Sequence, residues 1–211
     1  MSLFKHRFLF LLLLAGFAIP AISQYSLTVE SMPATTVEGT SYRMYVNMQD
    51  PSDRMSAVFG NNQVPLEMEA PNGAYNSSFN SSWSASGINP VFLPTFPEMA
   101  DDTYATIGLY GPASTSGIDG AEDPSLVEDI EQPITPFFLV DGTTYIQANT
   151  LTGASYYVLN TAANGLPDEN LRVLIMQVTT TGEVCGALNY QVFPLGEGSN
   201  QQQLTVEFCG E

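Results

Sequence analysis

Apolar positions recur at every second residue in "YSLTVE", where Tyr25, Leu27 and Val29 alternate with Ser26, Thr28 and Glu30. The same period runs through "YRMYVNM": Tyr42, Met44, Val46 and Met48 fall on one face, Arg43, Tyr45 and Asn47 on the other. A period of two belongs to a half-buried strand, whose successive side chains point to opposite faces. "QDPSD" (Gln49 to Asp53) reads as a turn, and "MSAVFG" and "VPLEME" as two short strands around Gly60-Asn61-Asn62. "TYATIGLY" (Thr103 to Tyr110) predicts a strong strand, and residues 111–136, with four prolines and many acids, predict a loop. "TTYIQA" and "SYYVL" follow as short strands. "LRVLIMQV" (Leu171 to Val178) is apolar on both faces, which predicts a central strand. Thr179 to Glu183 then turns it into the strand that carries Cys185, so the C-terminal region reads as a three-strand meander.

No long stretch has a helical period. A short helix is expected at "DPSLVEDI", with Asp123 as N-cap and Pro124 at the first helical position, and another within residues 74–100. The pattern therefore predicts an all-β fold: an antiparallel β-sandwich of about nine to eleven short strands, with one or two short helices in long loops.

Cys185 and Cys209 are the only cysteines. "VCGALNYQVF" and "QQLTVEFC" both read as strands, separated by the glycine-rich turn "PLGEGSN". Position 197, at the middle of that turn, is midway between the cysteines, so a symmetric hairpin sets them opposite each other. Directly opposed residues lie ~4.5–5.5 Å apart at Cα, within disulfide reach. A structural disulfide is expected; a redox-active pair and two free thiols are the alternatives.

The N-terminus carries Lys5 and Arg7, then the apolar run "FLFLLLLAGFAI", then "AIS" (Ala21 to Ser23). A basic segment, a short apolar core and a small-x-small site predict a secretory signal over 1–23, cleaved after Ser23, with an uncleaved anchor as the alternative. The run is short for a spanning helix, which needs ~20 apolar residues. Cleavage leaves 24–211 as a single expected domain, with no stable membrane insertion and a secreted or cell-surface location. It also removes the only lysine (Lys5), the only histidine (His6) and Arg7. Three arginines, Arg43, Arg54 and Arg172, then face 22 acidic residues, a formal charge of −19. Such a chain repels phosphate backbones and anionic lipid, so nucleic acid is excluded as a partner. Glycans and surface proteins remain.

Loss of histidine excludes Ser-His-Asp and Cys-His catalysis and His-ligated zinc; loss of lysine excludes Schiff-base chemistry. A carboxylate-only glycoside hydrolase stays conceivable, with Glu98, Asp101 and Asp102 in "FPEMADDTY" as its candidates. No catalytic residue is assigned and the chain reads as a non-enzyme. No cofactor is expected apart from calcium, for which Asp119, Glu122 and Asp123 in "DGAED" are weak candidates, against a solvated acidic loop. "PDEN" (Pro167 to Asn170) is a second oxygen-rich turn. "NSSFNSSW" (Asn76 to Trp83) contains two formal glycosylation sequons. Tyr75, Phe79 and Trp83, spaced by four, are candidates for stacking on a ligand; the competing expectation is that they face inward and anchor the long connection.

Three segments, "TSYRMYVNMQDPSDRMSAVFGNNQVPLEM", "APNGAYNSSFNSSWSASGINPVFLPTFPEMADDTYATIGL" and "LRVLIMQVTTTGEVCGALNYQVF", together resemble an uncharacterised β-rich domain of large exported proteins of marine bacteria, often cargo of the type IX secretion pathway. The similarity rests on segment order and covers most of Tyr25 to Phe208. It brings no catalytic motif, so no active-site residue carries over. It implies an extracellular or surface-attached module; the sequence departs from the larger proteins in stopping at Glu211 without a C-terminal sorting domain, which leaves a free secreted domain and a part of a larger surface protein both open. The expected function is non-catalytic, structural or adhesive at the cell surface or in the extracellular matrix. A glycan- or calcium-binding module and a carboxylate-based glycoside hydrolase are the alternatives.

Overall fold

The computed structural model describes residues 25–210. The expected signal segment, 1–23, lies outside the described residues. In chain order the strands are Ser26–Pro33 (β1), Thr40–Asn47 (β2), Arg54–Gly60 (β3), Leu66–Ala74 (β4), Tyr104–Ala105 (β5), Ser125–Glu128 (β6), Thr143–Ala148 (β7), Ala154–Tyr157 (β8), Arg172–Thr180 (β9), Val184–Phe193 (β10) and Gln202–Gly210 (β11). They form two antiparallel sheets. One runs β1-β2-β9-β5; the other holds β6, β8, β3, β10, β4, β7 and β11. The all-β sandwich read from the periodicity is the fold found.

The core lies between the sheets. Tyr42, Met44 and Val46 of β2 enter it, as the alternation requires, beside Val173, Ile175 and Val178 of β9 and Leu188, Tyr190 and Val192 of β10. The opposite face of β2 and β9 is not bare. Tyr45 and Leu174 pack there with Ala85, Ile88 and Tyr104, under the long connection that links β4 to β5. This cover explains why β9 is apolar on both faces.

The cysteine register is as the sequence predicts. Cys185 lies opposite Cys209, with Cα atoms 4.1 Å apart, and the two are disulfide-bonded. The meander is not formed, however. The pairs of β9 are β2 and β5, whereas β10 belongs to the other sheet, so the Thr181-Gly182-Glu183 turn carries the chain across the sandwich.

On its other side β10 meets two strands in succession. Asn189 to Phe193 pair with β3, and Cys185 to Ala187 pair with β4. Buried Asn189 sits where the two part: its amide nitrogen donates to the carbonyls of Phe59, Val64 and Pro65, and its oxygen accepts from Thr205 Oγ1.

Two further expectations are corrected. Helical structure among the described residues is limited to short 3-10 turns, the longest being Pro97–Asp101. The Asp123-Pro124 start leads into β6, because Ser125 to Glu128 pair along β8 and the tertiary edge overrides the local helix signal. "TYATIGLY" keeps ladder geometry only at Tyr104 and Ala105. Thr106 and Gly108 still donate to the carbonyls of Ile175 and Leu174, but Gly108 turns the chain at φ +67°. A Cβ there would lie 2.0 Å from the Asn164 carbonyl oxygen, so both the angle and the space demand glycine.

Candidate functional site

The outer face of the four-stranded sheet gathers two of the three arginines that follow residue 23. Arg43 and Tyr45 are on β2, Arg172 opens β9, and Tyr110 follows the bend at Gly108. The Arg172 guanidinium lies over the Tyr45 ring, 4.2 Å from its centroid. The Tyr45 hydroxyl shares a 3.1 Å hydrogen bond with that of Tyr110. The Arg43 guanidinium lies 5.3 Å from the Tyr110 centroid and its Nε donates to Gln177 Oε1. The four residues thus form a cation–ring–ring–cation row, in which each cation meets the negative face of an aromatic π-system. Burial, helped by the bond to Tyr110, raises the Tyr45 hydroxyl well above its usual range, so it remains a neutral phenol. Arg172 is ion-paired with Glu30 and Asp168, while Arg43 has no carboxylate partner among the described residues.

The turn before β9 is built by Asp168. Its carboxylate accepts from the backbone N–H groups of Asn170 and Arg172 and from Arg172 Nε. Leu171 takes the left-handed region, φ 58°, a conformation that costs a non-glycine residue about 1 kcal/mol or more and that places Arg172 at the strand start.

Two adjoining cavities, of about 230 and 340 Å³, open beside this row and share Gly108, Tyr110, Ile118 and Asp168 in their walls. Tyr110 is 50% and Ile118 41% exposed. The wall is stiffened from behind by buried Asn164. Its amide nitrogen donates to the carbonyls of Ile107 and Glu122, and its oxygen accepts from the Glu122 N–H. The arrangement offers an open ring, apolar neighbours and fixed charged and polar groups in one groove.

Apart from Pro167 and Asp168 of the "PDEN" turn, which line the groove, the candidate residues singled out from sequence lie elsewhere. Tyr75, Phe79 and Trp83 do not share a face, because no helical turn spans them. Trp83 turns inward, packing on the core with its ring 6.2 Å from that of Tyr156. Phe79 is 50% exposed and stacks on Phe96 at 4.2 Å. Tyr75 is half-buried, and its backbone joins Thr179 to Thr103. The sequon asparagines are interior. Asn76 donates to the carbonyls of Phe137 and Val140, and Asn80 to the Asp102 carboxylate.

Asp119, Glu122 and Asp123 are exposed, and Asp123 accepts from the Ala113 N–H. No group of three potential metal ligands converges among the described residues. Glu98 is half-buried in the turn that leads to Asp101. Asp101 accepts from the N–H groups of Thr35, Thr36 and Val37 and from Thr36 Oγ1. Burial opposes its charge, but these donors outweigh it and hold the carboxyl below its usual range. Asp102 accepts from Ser77 N–H and Asn80 Nδ2, both at 2.6 Å. There burial prevails over the donors and raises the carboxyl to about 7. Asp53, the third buried acid, caps the N–H groups of Gln49, Asp50 and Leu195.

Sequence reasoning did not bring Tyr110, Asp168 and Arg172 together as a set, since they come from segments some sixty residues apart; the scarcity of arginine after residue 23 is a signal that could have singled out Arg43 and Arg172 and was used only for net charge. No family model, curated protein or solved structure matches the chain.

Proposed function

We propose that the chain is an exported, non-catalytic β-sandwich that serves adhesion or surface structure outside the cell. One observation carries the non-catalytic part: each buried carboxylate, Asp53, Asp101 and Asp102, has both oxygens occupied by donors of the loops it holds together. A glycosidase needs one carboxyl free to protonate a leaving group and another free to act as nucleophile or base. Asp102 has the raised pKa that suits an acid catalyst, yet it is 1% exposed and lines neither cavity of the groove. The export part is supported by the signal-like residues 1–23 and by the disulfide, a bond that persists in oxidising compartments. Among the described residues no helix is long and apolar enough to cross a membrane. The resemblance to exported bacterial modules points the same way.

The test is fractionation of the native producer, with N-terminal sequencing of the recovered protein and a hydrolysis screen on polysaccharides. Recovery outside the cytoplasm with Gln24 as first residue and no turnover is the expected result. Cytoplasmic retention with residues 1–23 attached, or turnover lost in Asp102→Asn, sinks the reading. A second reading, a glycan-binding module, is favoured by the exposed Tyr110 in its groove. The calcium reading gains no converging ligand set from Asp119, Glu122 and Asp123.

A further inference from the structure

We propose that the groove between Tyr110 and Asp168 is a binding site for a neutral glycan. The proposal rests on the second reading above and goes beyond it by assigning the site, the residues and the ligand class. A pyranose presents an apolar C–H face and a rim of hydroxyls, so its receptor needs an open aromatic ring beside fixed, planar hydrogen-bonding groups. Tyr110 is the exposed ring common to both cavities. Its position is set twice, by the hydroxyl bond to Tyr45 and by the Arg43 guanidinium. A ring already held in place loses little freedom when a ligand lands on it.

Asp168 and Arg172 supply the polar groups. Asp168 is exposed, its carboxylate oriented by two backbone N–H groups. Arg172 is oriented by Asp168, Glu30 and the Tyr45 ring. Both line the smaller cavity, and exposed Ile118 widens the apolar floor between the two. The class is neutral because of charge. Arg172 is already neutralised by two carboxylates, and exposed Asp119, Glu122 and Asp123 lie on the loop that follows Ile118. A sulfated or uronate polymer meets repulsion there that an uncharged one does not. The two compact, adjoining hollows suit one or two sugar rings better than a run of peptide backbone, which needs an edge or a long groove.

The experiment is affinity electrophoresis of the full chain in gels containing soluble α-glucan, β-glucan, xylan or mannan, with an alginate-type polyuronate and a basic peptide as contrasting probes. At least one neutral polysaccharide should retard the protein. Tyr110→Ala should weaken that retardation about tenfold or more, Tyr110→Trp should retain it, and Phe79→Ala should leave it unchanged. Ile118→Glu, at an exposed position, should weaken it too and guards against a Tyr110 variant that unfolds. No retardation by any neutral polysaccharide overturns the proposal. So does retardation indifferent to both Tyr110→Ala and Ile118→Glu, retardation lost in Phe79→Ala, or binding confined to the polyuronate or the peptide. Those failures leave the exported, non-catalytic reading intact, because location and turnover test it separately.

Discussion

Asp101 and Asp102 are adjacent in the chain, and each carboxylate clamps a different loop. Asp101 gathers Thr35 to Val37, the connection between β1 and β2, whereas Asp102 gathers Ser77 and Asn80, the start of the long connection after β4. One dipeptide therefore ties two loops of the sandwich to the short turn at Pro97–Asp101.

Removing the first clamp should be costly. Asp101→Ala leaves three backbone N–H groups and the Thr36 hydroxyl without their acceptor. A loss of about 3 kcal/mol is expected in urea denaturation, with unchanged far-ultraviolet circular dichroism before the transition. A loss below about 1 kcal/mol would mean that water replaces the carboxylate at little cost.

The neighbouring carboxyls should act on stability with opposite pH signs. Asp102 titrates near 3.8 when unfolded and at about 7 when folded, so between those values the folded chain holds a proton that the unfolded chain has released. Its effect is to increase stability as pH falls from about 7 towards 4. Asp101, held below 3.8 by its donors, contributes stability that is present above that value and lost on further acidification. Denaturation of wild type and Asp102→Asn across this range should show the gain on acidification in the wild type only. Parallel profiles would remove Asp102 as the cause.

The disulfide closes a 24-residue separation around the β10–β11 hairpin. Cys185→Ala with Cys209→Ala should fold, and lose about 3 kcal/mol by the chain-entropy argument. Intact mass before and after alkylation without reductant should show no free thiol in the wild type.

The two rings of the long connection should separate clearly. Trp83 packs on the core, so Trp83→Ala should cost about 3 kcal/mol, and as the sole tryptophan its emission should shift to the red on unfolding. Phe79 keeps only its stack on Phe96, so Phe79→Ala should cost less than about 1 kcal/mol. Equal losses would contradict the placement of either ring.

What the sequence made legible follows the range of the forces involved. Alternation in β2 is local, and it placed Tyr42, Met44 and Val46 correctly in the core. The disulfide register needed only symmetry about one turn. The destination of β10 was not legible, because a tight turn at Gly182 looks the same whether the chain returns within a sheet or crosses to the other one. β6 was misread because the β8 edge that extends it lies about thirty residues away in the chain. The groove was invisible for the same reason: Tyr110 reaches it from β5 and Asp168 from the turn before β9, and only the closed fold brings them together.

Strand β10 pairs along one side with β11 and along the other with both β3 and β4. Its partners β3 and β4 precede it by more than a hundred residues and make no ladder with each other. During N-to-C synthesis β3 can pair with β8 and β4 with β7, but nothing joins these two pairs until Val184–Phe193 emerges. Contacts so distant in sequence form slowly, since the intervening chain must close first. The seven-stranded sheet is thus completed from its late strands, which accords with the export proposed above, since a sheet that closes only at β10 leaves the chain unlocked until late in its synthesis.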